Sequence, residues 1–238
     1  MQEELKSLLA EGAEKFGVTL DGEQVGTFFK YAGLLKEWNE KINLTSIEED
    51  RDIIIKHFID SLSIMPYLKP SGSLIDIGTG AGFPGIPVKI ASNNIDVVLL
   101  DSLEKRINFL NTVISATGIK GIKAVHGRAE DFGKNDAYRE KFDISVARAV
   151  ASLPILLEYC LPFVKVGGIF IAMKGINTEE IDNSKKALDI LGGEIEKVEQ
   201  FSLPFDDIRR TIIIIKKLRH TPTKYPRKAG KPSKEPLI

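Results

Sequence analysis

Leu74-Ile75-Asp76-Ile77-Gly78-Thr79-Gly80-Ala81-Gly82 decides how this chain is built. The apolar, partly β-branched start reads as a buried strand, and the glycines after it let the backbone turn tightly before Phe83-Pro84-Gly85-Ile86-Pro87 opens a helix. Just upstream, Lys69-Pro70-Ser71-Gly72-Ser73 is a cluster of turn formers. The first seventy residues read as helices, because Leu5, Leu8, Leu9 and Phe16, then Val25, Phe28, Phe29, Leu34, Leu35 and Trp38, fall at helical spacing. A third helical stretch over 53–68 carries Ile54, Phe58, Leu62 and Met65. Downstream, short β-branched runs alternate with helical segments, the signature of parallel strands with crossovers. Strands are expected at 73–77, 97–100, 123–126, 144–147, 168–173, 194–201 and 211–216. Helices are expected at 86–92, 103–117, 153–163 and 177–191. Only Leu203-Pro204-Phe205 joins the last two strands, so the sheet should be doubly wound and end in a hairpin-like strand. The expected organisation is a helical extension over 1–70, an α/β domain over 71–217 and a basic tail over 218–238.

The balance of 33 basic and 33 acidic residues argues against a general nucleic-acid binder, but the average hides an asymmetry. Residues 216–234 hold eight Lys or Arg and no acid, leaving the rest of the chain eight charges negative. Such a segment can meet phosphate whatever the global sum, since exposed charges are screened beyond about 10 Å at 0.1 M salt. A merely solvated basic tail is the plainer alternative. No apolar run approaches the roughly 20 residues of a membrane span, the acidic N-terminus is unlike a secretory signal, and the single cysteine, Cys160, cannot pair internally. These features point to a soluble, cytoplasmic protein. Three scattered histidines give no metal-ligand cluster, so no metal is expected.

Gly80-Ala81-Gly82-Phe83-Pro84-Gly85 also matches the dinucleotide fingerprint, in which glycines seat a pyrophosphate at a helix N-terminus. Two features weigh against that ligand. Asp76 stands two residues before Gly78, where a carboxylate would repel a pyrophosphate and welcome a cation, and Pro84 with Pro87 removes two amide donors. S-adenosylmethionine, with a sulfonium and an ammonium and no phosphate, suits Asp76, Gly78, Gly80 and Gly82. Asp101 ends the next strand 25 residues on, where an acid takes ribose hydroxyls or caps the following helix. Ala129 and Glu130 follow the third strand, where an acceptor and an amide read adenine. The fold expected is thus the Rossmann-like class I S-adenosylmethionine-dependent methyltransferase sheet with an N-terminal helical extension.

Several segments go beyond the class: Trp38-Asn39 with Asn43-Leu44-Thr45, His57-Phe58-Ile59-Asp60-Ser61-Leu62, Gly82-Phe83-Pro84-Gly85, Asp101-Ser102 with Lys105-Arg106, Arg128-Ala129-Glu130, Ala147-Arg148-Ala149, Lys174-Gly175 and Tyr225-Pro226-Arg227. Through these the chain resembles the bacterial glucose-inhibited division protein B family, methyltransferases that modify a guanine N7 in small-subunit ribosomal RNA. The resemblance implies cofactor contacts at Gly78, Phe83, Ala129, Glu130 and Arg148, with S-adenosylhomocysteine as product. It implies ribosomal RNA or the small subunit as partner, contacted by Arg148, Lys174, Tyr225, Arg227 and Lys228, and no obligate protein partner for a monomer. Read from the residues alone, Phe83 could pack on the methionine or adenosine portion or be an apolar plug under the loop, and a buried ion pair is the weaker alternative for Arg148. His57 and Asp60, three apart on one helix, read as a mutual hydrogen bond tying the helices to the sheet rather than a metal or acid-base site.

The acceptor is narrowed by what is missing. The fourth strand ends in Ala147-Arg148-Ala149-Val150, not in the Asn- or Asp-Pro-Pro-aromatic motif of amino-group methyltransferases. Cys160 lies among Leu156, Leu157, Leu161 and Phe163 and reads as helix core rather than the nucleophile that pyrimidine ring-carbon methylation needs. Guanine N7 carries an in-plane lone pair and needs no base, so the lack of an evident catalytic side chain fits it. A small-molecule methyltransferase and a non-catalytic RNA-binding regulator remain as alternatives.

Overall fold

The computed structural model describes residues 2–176 and 179–238. Two helices open the chain, α1 (Gln2–Glu14) and α2 (Gly22–Ile42). Asp21 and Gln24 start α2 with a reciprocal capping box, Asp21 accepting the Gln24 amide at 2.8 Å and Gln24 the Asp21 amide at 2.9 Å. Along α2, Phe28, Tyr31 and Leu35 bury one stripe. A continuous helical run follows as α3 (Asp50–Ile53), a π-helical stretch Ile54–Ile59 and α4 (Asp60–Leu62), before a 3₁₀ turn at Met65–Tyr67.

The remainder is a single sheet with its crossovers: β1 (Gly72–Ile77), α5 (Gly85–Ala91), β2 (Ile95–Asp101), α6 (Glu104–Thr117), β3 (Ile122–His126), α7 (Ala129–Phe132), β4 (Phe142–Arg148) and α8 (Leu153–Cys160). Then come β5 (Val164–Lys174), α9 (Glu179–Asp182), α10 (Lys185–Leu191), β6 (Gly193–Ser202), β7 (Arg209–Lys217) and α11 (Lys231–Lys234). The strand order is β3-β2-β1-β4-β5-β7-β6, with β1 to β5 parallel and β7 antiparallel to both its neighbours. All seven expected strands are present. The helix expected over 177–191 divides into α9 and α10, and its first two residues lie outside the described ones. The short α7, expected as a loop, is a helix.

Strand alternation decides which side chains share a face. Leu74, Leu99 and Val146 face a cluster that also holds Leu9, Phe28, Leu35 and Phe58, so the N-terminal helices cover one face of the sheet. Ile75, Leu100 and Ala147 face a second cluster with Leu156, Cys160, Leu191 and Tyr225. Asp76, Asp101 and Arg148 alternate onto the N-terminal-helix face at or near the carboxyl ends of β1, β2 and β4. Among the described residues no helix is long and apolar enough to cross a membrane, and no cluster suits a metal ion.

Candidate functional site

The glycine turn is wired from within. The amides of Gly78 and Thr79 donate to Leu100 O at 2.8 and 3.2 Å, and that of Gly80 to Asp101 Oδ2 at 2.9 Å. Those of Gly82 and Phe83 donate to Thr79 O, that of Gly85 to Asp76 Oδ2 and that of Ile86 to Gly82 O. A loop with its amides so occupied, and prolines at 84 and 87, has little left for a pyrophosphate. Gly85 leaves no room for a side chain: a Cβ there would lie 2.3 Å from Leu99 Cδ2 and 3.0 Å from Asp76 Oδ2.

Asp76 is fully buried beneath this loop instead of lining the cavity. Its Oδ2 takes the Thr79 hydroxyl at 2.7 Å and the Gly85 amide at 2.9 Å, whereas Oδ1 is buried without a hydrogen-bond partner in the protein. Burial pushes its pKa up to about 6, against the pull of those two hydrogen bonds and of Arg148. Asp76 thus braces the loop from beneath and does not itself line the cavity, so of the contacts with a cationic ligand expected from sequence, direct or through water, the geometry shows no direct one.

At the carboxyl ends of β1 and β2 a cavity of about 290 Å³ is lined by Gly78, Asp101, Arg128, Ala129, Glu130, Val150, Tyr159 and Gly230. Larger cavities of about 520 and 510 Å³, around Lys89 and around Lys165, lie at the opposite ends of the parallel strands. Ligands of open α/β sheets bind at the carboxyl ends, which favours the first. Gly78 has φ of 68° and a Cβ on it would stand 2.8 Å from Val150 Cγ2, so the cradle exists only with glycine there. Asp101 is 3% exposed and held from three sides: Oδ1 takes the amide of Leu103, the residue before α6, at 2.9 Å, and Oδ2 takes Gly80 and Arg106. A carboxylate has about four lone-pair sites, so one remains for a ribose hydroxyl. Ala129 and Glu130 form the first turn of α7, whose amides have no intrahelical partner. The amides of Ala129 and Glu130 and the Glu130 carboxylate thus stand at this cavity, and the set fits S-adenosylmethionine.

Arg148 ends β4 and points away from that cavity into a web. Its Nη1 donates to Asp60 Oδ2 at 2.9 Å and to Lys56 O at 3.1 Å, and Nη2 donates to His57 Nδ1 at 3.2 Å. Arg210 Nε donates to the other Asp60 oxygen at 3.0 Å. His57 and Asp60 therefore do not bond one another as expected; both brace Arg148, and the π-helical winding over 54–59 brings the Lys56 carbonyl to it as well. The ion-pair reading of Arg148 and the plug reading of Phe83 are both visible in the geometry. Phe83 is 5% exposed, stacks on His57 with ring centroids 4.3 Å apart, and lies 5.0 Å beneath the Arg148 guanidinium. Trp38, half-buried, packs on Phe109 at 5.8 Å as a core contributor.

His57 is neutral by construction. Burial and the adjacent Arg148 push its pKa down to about 3, and Nδ1, receiving the Arg148 proton, puts the imidazole hydrogen on Nε2 towards Thr45 Oγ1 at 2.8 Å. Between pH 6.5 and 3 the unfolded chain holds a proton the folded chain lacks, so stability is full above 6.5 and falls as pH drops through that window. Urea unfolding at pH 7 and pH 5 is expected to show a smaller acid-induced loss in His57→Gln than in the wild type. Equal losses would show that His57 is not the group responsible.

A second cavity, about 370 Å³, is lined by Ile47, Lys56, His57, Asp60, Arg148, Ala149, Met173, Lys174, Gly175 and Arg210. Arg148 and Ala149 border it, and Val150, the next residue, borders the first cavity. Ala149 sits at φ of 56°, an uncommon conformation for a residue with a side chain, at the point that separates the two. Lys174 lines the second cavity as well, its ammonium held by Ala151 O at 2.8 Å and Glu180 at 2.9 Å.

The chain matches the family model described as rRNA small subunit methyltransferase G over residues 24–212. The chain belongs to this family. The Ribosomal RNA small subunit methyltransferase G of Acetivibrio thermocellus is 66% identical over 98% of this chain and 97% of its own, and that of Alkaliphilus oremlandii 54% identical over 98% and 99%. Among solved structures, M. jannaschii TYW2 in complex with AdoMet shares the fold, with a TM-score of 0.51 at 12% identity over 63% of this chain and 71% of that one. The methyltransferase G model reaches from α2 into β7, and so covers the second cavity and all of the first one's named lining except Gly230, stopping short of the C-terminal segment.

That segment departs from a loose basic tail. Tyr225 is 7% exposed and belongs to the core cluster on the α8 face, so its ring is not offered to a base. Arg227 is taken up by Glu158, its Nε and Nη2 donating at 2.9 and 2.6 Å, because that carboxylate is buried in α8 and needs a cation. Lys217 is buried too, donating to Leu161 O at 2.8 Å. Only Lys228, of the residues expected there as RNA contacts, is exposed. Arg210 went unnoticed in the sequence. Its signal was topological: a seventh strand running antiparallel begins where the parallel strands end, and Arg210 pairs there with Phe201.

Proposed function

We propose that the chain, an S-adenosylmethionine-dependent methyltransferase of small-subunit ribosomal RNA, delivers the methyl group to N7 of a guanine held in the cavity lined by Arg148, Lys174 and Arg210. The observation that carries this is the abutment of the two cavities across Arg148, Ala149 and Val150. Bound S-adenosylmethionine supplies an electrophilic methyl on its sulfonium. Gly78, Asp101, Ala129 and Glu130 hold and orient the nucleoside part, while the Asp76-braced loop fixes its position.

N7 attacks with its own lone pair, so the protein has to align the two partners and keep water out rather than remove a proton. No ionisable side chain of the second cavity suits a base: His57 is neutral but already accepts from Arg148, and Asp60 is bound by two arginines. Four cations, Lys56, Arg148, Lys174 and Arg210, line it with Asp60, and although Lys56 and Lys174 also pair with Asp52 and Glu180 beyond the lining, the wall presents donors that suit the electron-rich guanine O6 or a neighbouring phosphate. A guanidinium donating to N7 itself would block the nucleophile, so Arg148 is assigned to O6, in the cavity it lines. The rival chemistry at pyrimidine carbon needs a thiolate, and Cys160 is fully buried with its thiol pushed well up by burial. The same reading makes the protein a cytoplasmic monomer. Incubation with methyl-labelled cofactor and either unmethylated small-subunit RNA, assembled subunits or a mixture of nucleosides is the test. Label in RNA or subunits supports the proposal; label in the nucleosides alone, or none at all, overturns it.

A further inference from the structure

Residues 221–235 leave β7 and return across α8 to the first cavity. The Thr221 amide donates to Glu140 Oε1 at 2.9 Å, and Arg139 donates to Tyr225 O at 2.8 Å and Thr221 O at 2.6 Å. Further on, the Arg227 amide and side chain close on Glu158 with four hydrogen bonds of 2.6 to 3.1 Å. Glu158 is 1% exposed on its side chain and Arg227 18%. Three residues later the Gly230 amide donates to Glu130 Oε1 at 3.0 Å, and Gly230 itself lines the cavity. Tyr159, next to Glu158 on α8, lines it too.

The outer side of the same segment is cationic. Lys224, Lys228, Lys231 and Lys234 are all exposed, and the segment's own single acid, Glu235, lies 3.6 Å from Lys231. A short, well-anchored segment thus has one side built into the wall of the cofactor cavity and the other presenting positive charge to solvent.

We infer that residues 221–235 form a strap that couples the two substrates, with Glu158 and Arg227 as positioning residues for the cofactor and the four lysines as contacts for RNA phosphates. The inference rests on the first cavity being the cofactor site. The latch holds Gly230 against Glu130, which fixes the carboxylate meant for adenine. RNA phosphates drawn to the lysines press the strap home, so RNA binding tightens cofactor binding, and by reciprocity the cofactor tightens RNA binding.

Calorimetry with S-adenosylmethionine, with and without small-subunit RNA, tests this on the full chain. Glu158→Gln, which keeps the shape and removes the charge, is expected to weaken cofactor binding roughly tenfold without RNA, about the worth of one charge-assisted hydrogen bond. The KM for cofactor should rise by a similar factor while kcat stays within about twofold, and Arg227→Lys should recover part of the loss where Arg227→Gln does not. This split separates positioning from general destabilisation, which a urea unfolding curve of each variant monitors. Changing Lys224, Lys228, Lys231 and Lys234 together to Gln should lower the slope of log affinity for RNA against log salt by about 3, at roughly 0.7 per phosphate contact on single strands. It should also abolish the RNA-induced tightening of the cofactor. Wild-type cofactor affinity in folded Glu158→Gln, or an unchanged salt slope in the lysine variant, would overturn the strap. Should Gly78→Asp also bind cofactor normally, the fault would lie with the cavity assignment, whereas its loss alongside a normal Glu158→Gln would count against the strap alone.

Discussion

Gly78→Asp should abolish S-adenosylmethionine binding, with affinity lowered at least about a hundredfold, close to 3 kcal/mol. Two costs combine. The residue sits at φ of 68°, where a side chain strains the backbone, and its first carbon would already meet Val150 Cγ2 at 2.8 Å. The remaining atoms have only the cavity to enter, where Asp101 and Glu130 already bring negative charge. Because Gly78 lies at a turn between strand and loop, the sheet should survive. Calorimetric titration, paired with an unfolding curve that shows a cooperative fold, is the measurement. Retained affinity in a folded variant would place the cofactor elsewhere.

Asp60→Ala should have the largest effect on stability. It removes the one acid between Arg148 and Arg210, whose side chains are 14% and 24% exposed, and leaves two cations facing each other around an apolar gap. Losing one partner from a buried ionic group costs about 3 to 5 kcal/mol, so the urea midpoint should fall markedly with its slope unchanged. Methyl transfer should fall with it, since Arg148 and Arg210 both lose their brace. Asp60→Asn, which keeps an acceptor but not the charge, should lie between. A midpoint that barely moves in Asp60→Ala would show that the arginines are held by other partners.

The fold was legible because it depends on features that single residues announce. β-Branched runs, the Lys69 to Ser73 break and the glycine turn mark each strand of the sheet, and the missing helix between the last two strands marks the antiparallel end. That Gly78, Ala129 and Glu130 line one cavity was legible too, because the loops at the carboxyl ends of the first and third strands have to form it. What could not be read was direction and pairing. Asp76 stands out in the sequence, but alternation along β1 turns it under the loop, a matter of which neighbours bury it. His57 and Asp60 are neighbours on a helix, but their common partner lies 88 residues from Asp60 and was fixed only when β4 was placed beneath them. Charge counting made residues 216–234 look like a solvated tail, and it cannot tell a lysine on the surface from Arg227 satisfied by a buried Glu158.

The most direct measurement is the identity of the nucleoside modified in small-subunit RNA. After transfer from labelled S-adenosylmethionine, the RNA is digested to nucleosides and the labelled one is identified by mass spectrometry. The expected product is 7-methylguanosine, at one guanine, formed without help from any side chain acting as a base. Label in an N2-methylguanosine, a methylated adenosine or a pyrimidine carbon would contradict the assignment of the Arg148 cavity to guanine N7.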